Sequence, residues 1–254
     1  MNQVLIIAEM IMVRTMRSRL PVALFLLSLP LLLAIWMINA ENPGYQTLFS
    51  KDAGGLFLSL VAMVLALVMC LEHLVWSDGE DKGWFMLSRV RNYLHLFLGQ
   101  FLGIAFSLMA AIGGLSLLFF IFYRLMHRAW LPEIMFTGYF IFLEAAVLVA
   151  ALILLSRLFS RFLAVSWIIL LYVFSSTSLA QVFKSGNFDD TLTLIGSLFL
   201  TLIPDLSMFR FSGLILEREI LNSQEALISS FYAIFIAGFY LLVADLLARR
   251  QRKN

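Results

Sequence analysis

The chain has 254 residues, of which 62% are hydrophobic and only 13% are charged. A soluble domain carries about 25% charged residues, so there is too little polar surface here to cover a globule in water. The composition predicts an all-α integral membrane protein that crosses the bilayer several times. A net charge of +2 gives no case for binding nucleic acid. The single cysteine, Cys70, cannot form an intramolecular disulfide and is expected to pack as a small apolar side chain.

The N-terminal segment, residues 1–19, combines apolar residues with Glu9 and three arginines. It is too charged to span a bilayer, and we expect an interfacial helix with its arginines near anionic headgroups. The alternative is a simple retention anchor. No small-residue cleavage site follows the first long apolar run, so no cleavable signal peptide is expected.

Long apolar runs predict six transmembrane helices, at about 20–39, 53–71, 94–123, 133–155, 162–182 and 225–247. The third has about 30 residues, or roughly 45 Å, which exceeds a hydrocarbon core of ~30 Å. It must therefore tilt, kink at Gly113 and Gly114, or protrude. It also contains Gly99-x-x-x-Gly103, a spacing that permits close approach of another helix.

A second distinctive stretch, residues 183–224, precedes the last span. Its apolar part, residues 191–203, is followed by Pro204 and at about 20 Å is too short to cross the membrane. We expect a re-entrant or interfacial, semi-buried outer segment. With six spans and both termini cytoplasmic, the inner segments hold about two-thirds of the 18 Lys and Arg residues, in agreement with the positive-inside rule.

Motifs for catalysis are missing from the sequence. The three histidines are scattered rather than arranged as His-Glu-x-x-His, and there is neither a Gly-x-Ser-x-Gly elbow nor a Walker Gly-x-x-x-x-Gly-Lys motif. We therefore expect no enzymatic activity, no metal site and no bound cofactor in this chain.

Glu144 lies near the middle of the fourth span, where an ionisable side chain is costly and marks a functional hypothesis. The alternative is a protonated carboxyl bonded across a helix interface to Gln100, Ser107 or a tyrosine. Both interpretations stay open, and Glu144 with Gln100 forms a candidate intramembrane polar site. Asp245 and Arg249, four residues apart, predict a local ion pair.

Residues 72–93 form the longest polar interruption in the first half of the chain. An acidic loop precedes a surface helix over 84–93, and the segment is several times longer than the other inner turn. This length favours a docking site for a cytosolic partner over a passive solvated loop. The residues assigned to that coupling contact are Asp78, Glu80, Asp81, Gly83, Trp84, Leu87, Arg89 and Arg91.

Several motifs mark this segment and its surroundings: Glu80-x-x-Gly83, Met86-Leu87-Ser88, Gly99-Gln100-Phe101-Leu102-Gly103, and the later Ile203-Pro204-Asp205-Leu206 followed by Phe209. With the order of the elements along essentially the whole chain, they resemble the permease subunits of type-2 ABC exporters. The resemblance is to permeases associated with nitrous oxide reductase and multicopper enzyme maturation. Here Trp84 and Gln100 replace the family's Thr and Lys, and the family's Pro near Arg89 is missing.

The resemblance implies a half-transporter in the bacterial cytoplasmic (inner) membrane. A second permease copy or a paralogue would complete the pore, and two cytosolic ATPase subunits would hold ATP and Mg²⁺. Residues 77–91 would fit a groove on the ATPase and pass its closure to the spans. The cargo is not indicated.

Two alternatives remain. The stretch Leu71-Glu72-His73-Leu74, followed by Asp78 and Gly83, is similar to the haem-exporter-like permease of cytochrome c maturation. A non-transporting membrane scaffold that docks a cytosolic partner is the other.

Overall fold

The computed structural model describes residues 3–18, 46–74, 92–127, 133–176, 204, 206–209 and 223–251. Every regular element among them is helical, as the composition predicts. We number the α-helices α1 (Gln3–Arg17), α2 (Gln46–His73), α3 (Tyr93–His127), α4 (Glu133–Leu158), α5 (Arg161–Ser176) and α6 (Ser223–Gln251). A single 3₁₀ turn covers Leu206–Phe209 within these ranges.

Four of these helices are long and apolar enough to cross a membrane: Gly54–His73, Tyr93–Leu125, Ile134–Leu158 and Ala226–Gln251. They coincide with the predicted second, third, fourth and sixth spans, so the chain is a multi-pass membrane protein. The predicted fifth span is represented by α5, whose described part has 16 residues. The predicted first span lies outside the described residues.

The helix α3 is the longest element, with 35 residues, or about 52 Å at 1.5 Å per residue. It runs without a break through Gly113 and Gly114, where an added Cβ atom would meet no other atom within 4 Å. The excess length is therefore not absorbed by a break in the helix at these glycines. The length exceeds a hydrocarbon core of ~30 Å, as the sequence predicts.

The helix α4 forms the centre of the bundle. Over an 18-residue apolar stretch of α4, 78% of the residues are buried, and α4 packs against α2, α3, α5 and α6. Its apolar residues face all directions, which is the pattern of a helix surrounded by others. In the peripheral α6, only 28% of the residues of such an 18-residue stretch are buried. Cys70 of α2 is fully buried in the same apolar core, as expected.

Two contacts set the register of α3 against α4. The guanidinium of Arg157 lies over the ring of Phe97 at 5.0 Å from its centroid, and a side chain at Gly138 would collide with the Ser116 hydroxyl. Because the order of these pairs is reversed along the two helices, α3 and α4 are antiparallel. Glu144 therefore lies level with about residue 110 of α3.

The helix α6 runs parallel to α4. The Tyr139 hydroxyl is 2.7 Å from the Ser230 hydroxyl near the start of both helices, and the Gln251 side-chain amide donates to the Arg157 carbonyl at 3.0 Å near their ends. The ends of α2, α4 and α6 and the starts of α3 and α5 thus meet at one end of the bundle, which we call the basal end.

Part of the predicted outer segment enters the core of the bundle. Leu206 and Phe209 of the 3₁₀ turn are buried against α4 and α5, and the Phe209 ring lies 5.9 Å from that of Tyr232. Tyr232 belongs to the first half of α6, so this contact lies away from the basal end. The remainder of 183–222, apart from buried Pro204, is outside the described residues.

The start of α2 supplies a test of the packing away from the basal end. A Cβ atom at Gly54 would collide with the Phe119 ring of α3, whereas one at Gly55 would meet only the Thr137 methyl at 3.9 Å. We expect Gly54→Ala to lower the melting temperature in detergent micelles by an amount equivalent to about 1–3 kcal/mol, with Gly55→Ala close to neutral. Phe119→Leu should reduce the effect of Gly54→Ala when the two are combined. Additive effects would contradict the contact.

Candidate functional site

The N-terminal helix α1 docks against the basal half of α3 at the glycine pair noted in the sequence. A Cβ atom at Gly99 would lie 2.8 Å from the Ile7 Cβ atom. One at Gly103 would lie 2.8 Å from the Ile11 Cβ atom and 2.9 Å from the Ala8 carbonyl oxygen. These separations are shorter than carbon atoms tolerate, so the two helices approach this closely only because both positions are glycine.

Beyond this crossing, α1 reaches the end of α2, where five polar residues form what we call the polar junction: Arg14, Thr15, Glu72, His73 and Gln100. The Thr15 hydroxyl lies 2.9 Å from His73 Nε2. The Gln100 side-chain amide donates to the His73 carbonyl at 3.3 Å. Arg14 Nε lies 3.7 Å from Glu72 Oε1. Three helices therefore meet at His73.

The buried bonds matter more here than the exposed ion pair. Thr15 and Gln100 are 3% and 2% exposed, so their polar atoms have little water as an alternative partner. The Thr15 hydroxyl also donates to the Ile11 carbonyl at 2.9 Å, which leaves His73 Nε2–H as the donor to Thr15. The Arg14–Glu72 pair is solvent-exposed and contributes no more than about 1 kcal/mol.

The polar junction lies beside both ends of the predicted coupling segment, at the end of α2 and near the start of α3. Helix α2 ends at His73 and α3 begins at Tyr93, so the segment connects these two helices. A displacement of the intervening residues is therefore passed by covalent connection to the two helices that Gln100 joins. The predicted coupling residues themselves lie outside the described residues: Asp78, Glu80, Asp81, Gly83, Trp84, Leu87, Arg89 and Arg91.

A second polar contact fixes the basal ends of α3, α4 and α6. Arg157 is 6% exposed, and its position over the Phe97 ring is a cation–π contact between α4 and α3. Arg157 lies in the last turn of α4. Its spacing of four and seven residues from the fully buried Ile153 and Ala150 places it on a buried face of α4.

Asp245 and Arg249 form the predicted pair, with Asp245 Oδ2 lying 2.8 Å from Arg249 Nε. Asp245 is buried, at 4% exposure. It therefore joins Glu144 as a second buried acid among the described residues.

The structure does not bring Glu144 and Gln100 together. Glu144 is 3% exposed at the centre of the bundle, level with about residue 110 of α3. Gln100 is about ten residues nearer the basal end, roughly 15 Å along the helix. The Ser107 hydroxyl, which the sequence offered as another partner for Glu144, donates to the Gly103 carbonyl at 2.8 Å. Gln100 belongs instead to the polar junction.

Among the described residues, no group of three or more His, Cys, Asp or Glu side chains is placed to hold a metal ion. The polar junction can act mechanically, because it links three helices at the basal end of a membrane bundle.

No model of a known protein family matches the sequence, and no curated protein matches it significantly.

Proposed function

We propose that the chain is the permease subunit of an ATP-binding-cassette exporter in the bacterial cytoplasmic membrane, driven by ATP hydrolysis on a separate cytosolic subunit. Its main support is the polar junction, which joins α1, α2 and α3 at the end of α2 and near the start of α3, the two helices that the charged segment 72–93 connects. A loop that only connects two helices does not require these interhelical hydrogen bonds. A segment that must transmit a movement to the helices does require that they move together.

The arrangement of the described helices is consistent with that role. If an ATPase binds residues 77–91, its closure displaces the end of α2 and the start of α3 together, because Gln100 and His73 bind each other. The glycine contact makes α1 move with α3. Since α4 is buried at the centre and packs on both, the displacement reaches the whole bundle as a discrete shift between packed states.

Charge at the basal end supports a cytoplasmic orientation for it. Six arginines of the described residues belong to helix ends that meet there or, for α1, dock beside it: Arg14, Arg17, Arg157, Arg161, Arg249 and Arg250. The positive-inside rule places such an end in the cytoplasm, where an ATPase subunit is available. A second copy or a paralogue of the permease would complete the transporter.

The decisive experiment copurifies the chain with an ATPase subunit encoded beside it and measures ATP hydrolysis of the complex. Glu80→Arg and Gly83→Pro should each reduce both association and coupled hydrolysis at least several-fold, because they alter the charge and the backbone of the docking segment. Glu133→Arg, at the start of α4 and away from the basal end, is the matched charge reversal and should leave both unchanged. Survival of association and coupled hydrolysis in both docking variants would refute the assignment. Association without any effect of the permease on hydrolysis would favour a scaffold.

A further inference from the structure

An open groove of about 620 Å³ lies along α1 where this helix meets the end of α2. The docked face of α1 carries Ile7, Ala8 and Ile11, and the groove uses a different face of the same helix. Ile6, Met10 and Val13 line it at a helical spacing and are 46%, 45% and 38% exposed. A stripe of three large apolar side chains left open at the edge of a membrane bundle suits an acyl chain.

The charged residues of the groove indicate the chemistry of the polar group attached to such an acyl chain. Arg14 and Arg17 in the last turn of α1 are matched by two carboxylates, Glu9 and Glu72. Two cations and two anions leave the lining without net charge, unlike the polybasic clusters that select anionic lipids. Arginine binds phosphate through paired N–H groups, and a carboxylate accepts hydrogen bonds from an ammonium.

The spacing of these charges favours a ligand that carries both signs close together. Glu72 Oε1 lies only 3.7 Å from Arg14 Nε, and both side chains are partly exposed toward the groove. A purely anionic headgroup bound to Arg14 would therefore meet the Glu72 carboxylate. A headgroup with a phosphate and an adjacent ammonium satisfies both.

We infer that this groove binds a zwitterionic phospholipid with a primary ammonium, of the phosphatidylethanolamine type. The phosphodiester binds Arg14 and Arg17, the ammonium donates to Glu72, and an acyl chain covers Ile6, Met10 and Val13. The inference requires a membrane location but not the exporter function. Its consequence is that a bilayer lipid secures α1 beside the polar junction.

Native mass spectrometry of the full chain with defined lipids tests this inference. Phosphatidylethanolamine should bind roughly five- to tenfold more tightly than phosphatidylcholine, whose quaternary ammonium has no N–H donor, and more tightly than phosphatidylglycerol, which has no ammonium. Arg17→Gln should weaken binding of phosphatidylethanolamine several-fold. Glu72→Gln should reduce its preference over phosphatidylcholine.

Arg250→Gln is the matched control, since Arg250 is an exposed arginine in the last turn of α6 outside the groove. Unfolding of each variant in lipid-free detergent should stay close to that of the wild type, because the altered residues are exposed and an exposed ion pair contributes little. Three outcomes overturn the inference: equal binding of phosphatidylethanolamine and phosphatidylcholine, strongest binding of phosphatidylglycerol, or equal effects of Arg17→Gln and Arg250→Gln.

Discussion

Replacing Gly103 with alanine should loosen α1 from α3 and lower the free energy of unfolding by about 1–3 kcal/mol. The new methyl group would lie 2.9 Å from the Ala8 carbonyl oxygen and 3.1 Å from the Ala8 Cα atom. Both are backbone atoms, so no side-chain rotation relieves the clash and the helices must separate. Thermal unfolding in detergent micelles measures the loss, and limited proteolysis within α1 should become faster.

Gly113→Ala provides a control on the same helix, because an added Cβ atom there meets no other atom within 4 Å. In that open position the higher helix propensity of alanine should stabilise the protein by up to about 1 kcal/mol. The two identical substitutions are thus expected to change stability in opposite directions. If Gly103→Ala were also neutral or stabilising, the close docking of α1 would be wrong.

The glycine pair illustrates how far the sequence leads. Its four-residue spacing predicts that a helix approaches closely, and one does. The spacing does not identify that helix, because the complementary surface of Ile7 and Ile11 has no distinctive pattern of its own. That the long apolar runs form helices was predictable, since a backbone in lipid must satisfy its hydrogen bonds internally.

The polar contact that was predicted joins residues close together in the sequence, whereas the one that was missed joins residues far apart. The Asp245–Arg249 pair follows from a local rule, because residues four apart on a helix are neighbours. The contact of Thr15 with His73 joins residues 58 positions apart and depends on how three helices are placed. Each is a single polar residue near a helix end, where exposure to water is the ordinary expectation. Only the tertiary structure reveals that they bind each other.

On the proposed function, removing both bonds to His73 should uncouple the permease from its ATPase. The double variant Thr15→Val and Gln100→Leu keeps side chains of similar size but removes the hydroxyl and amide that bind His73. Hydrogen bonds between helices in membranes contribute about 0.6–2 kcal/mol each, so the loss of two should reduce coupled ATP hydrolysis roughly tenfold or more. The ATPase subunit should still copurify, because the docking segment is unaltered.

A matched double variant separates coupling from general stability. Ser59→Ala and Tyr139→Phe remove two other hydroxyl bonds between helices, Ser59 with Tyr172 and Tyr139 with Ser230, each 2.7 Å long. These bonds join α2 to α5 and α4 to α6, away from the polar junction, so their loss should lower the melting temperature without lowering coupled hydrolysis to the same extent. Equal loss of hydrolysis in both double variants would mean that the polar junction stabilises the bundle but transmits nothing. Because each double variant loses two hydrogen bonds between helices, the number of interhelical bonds is held constant and only their position differs.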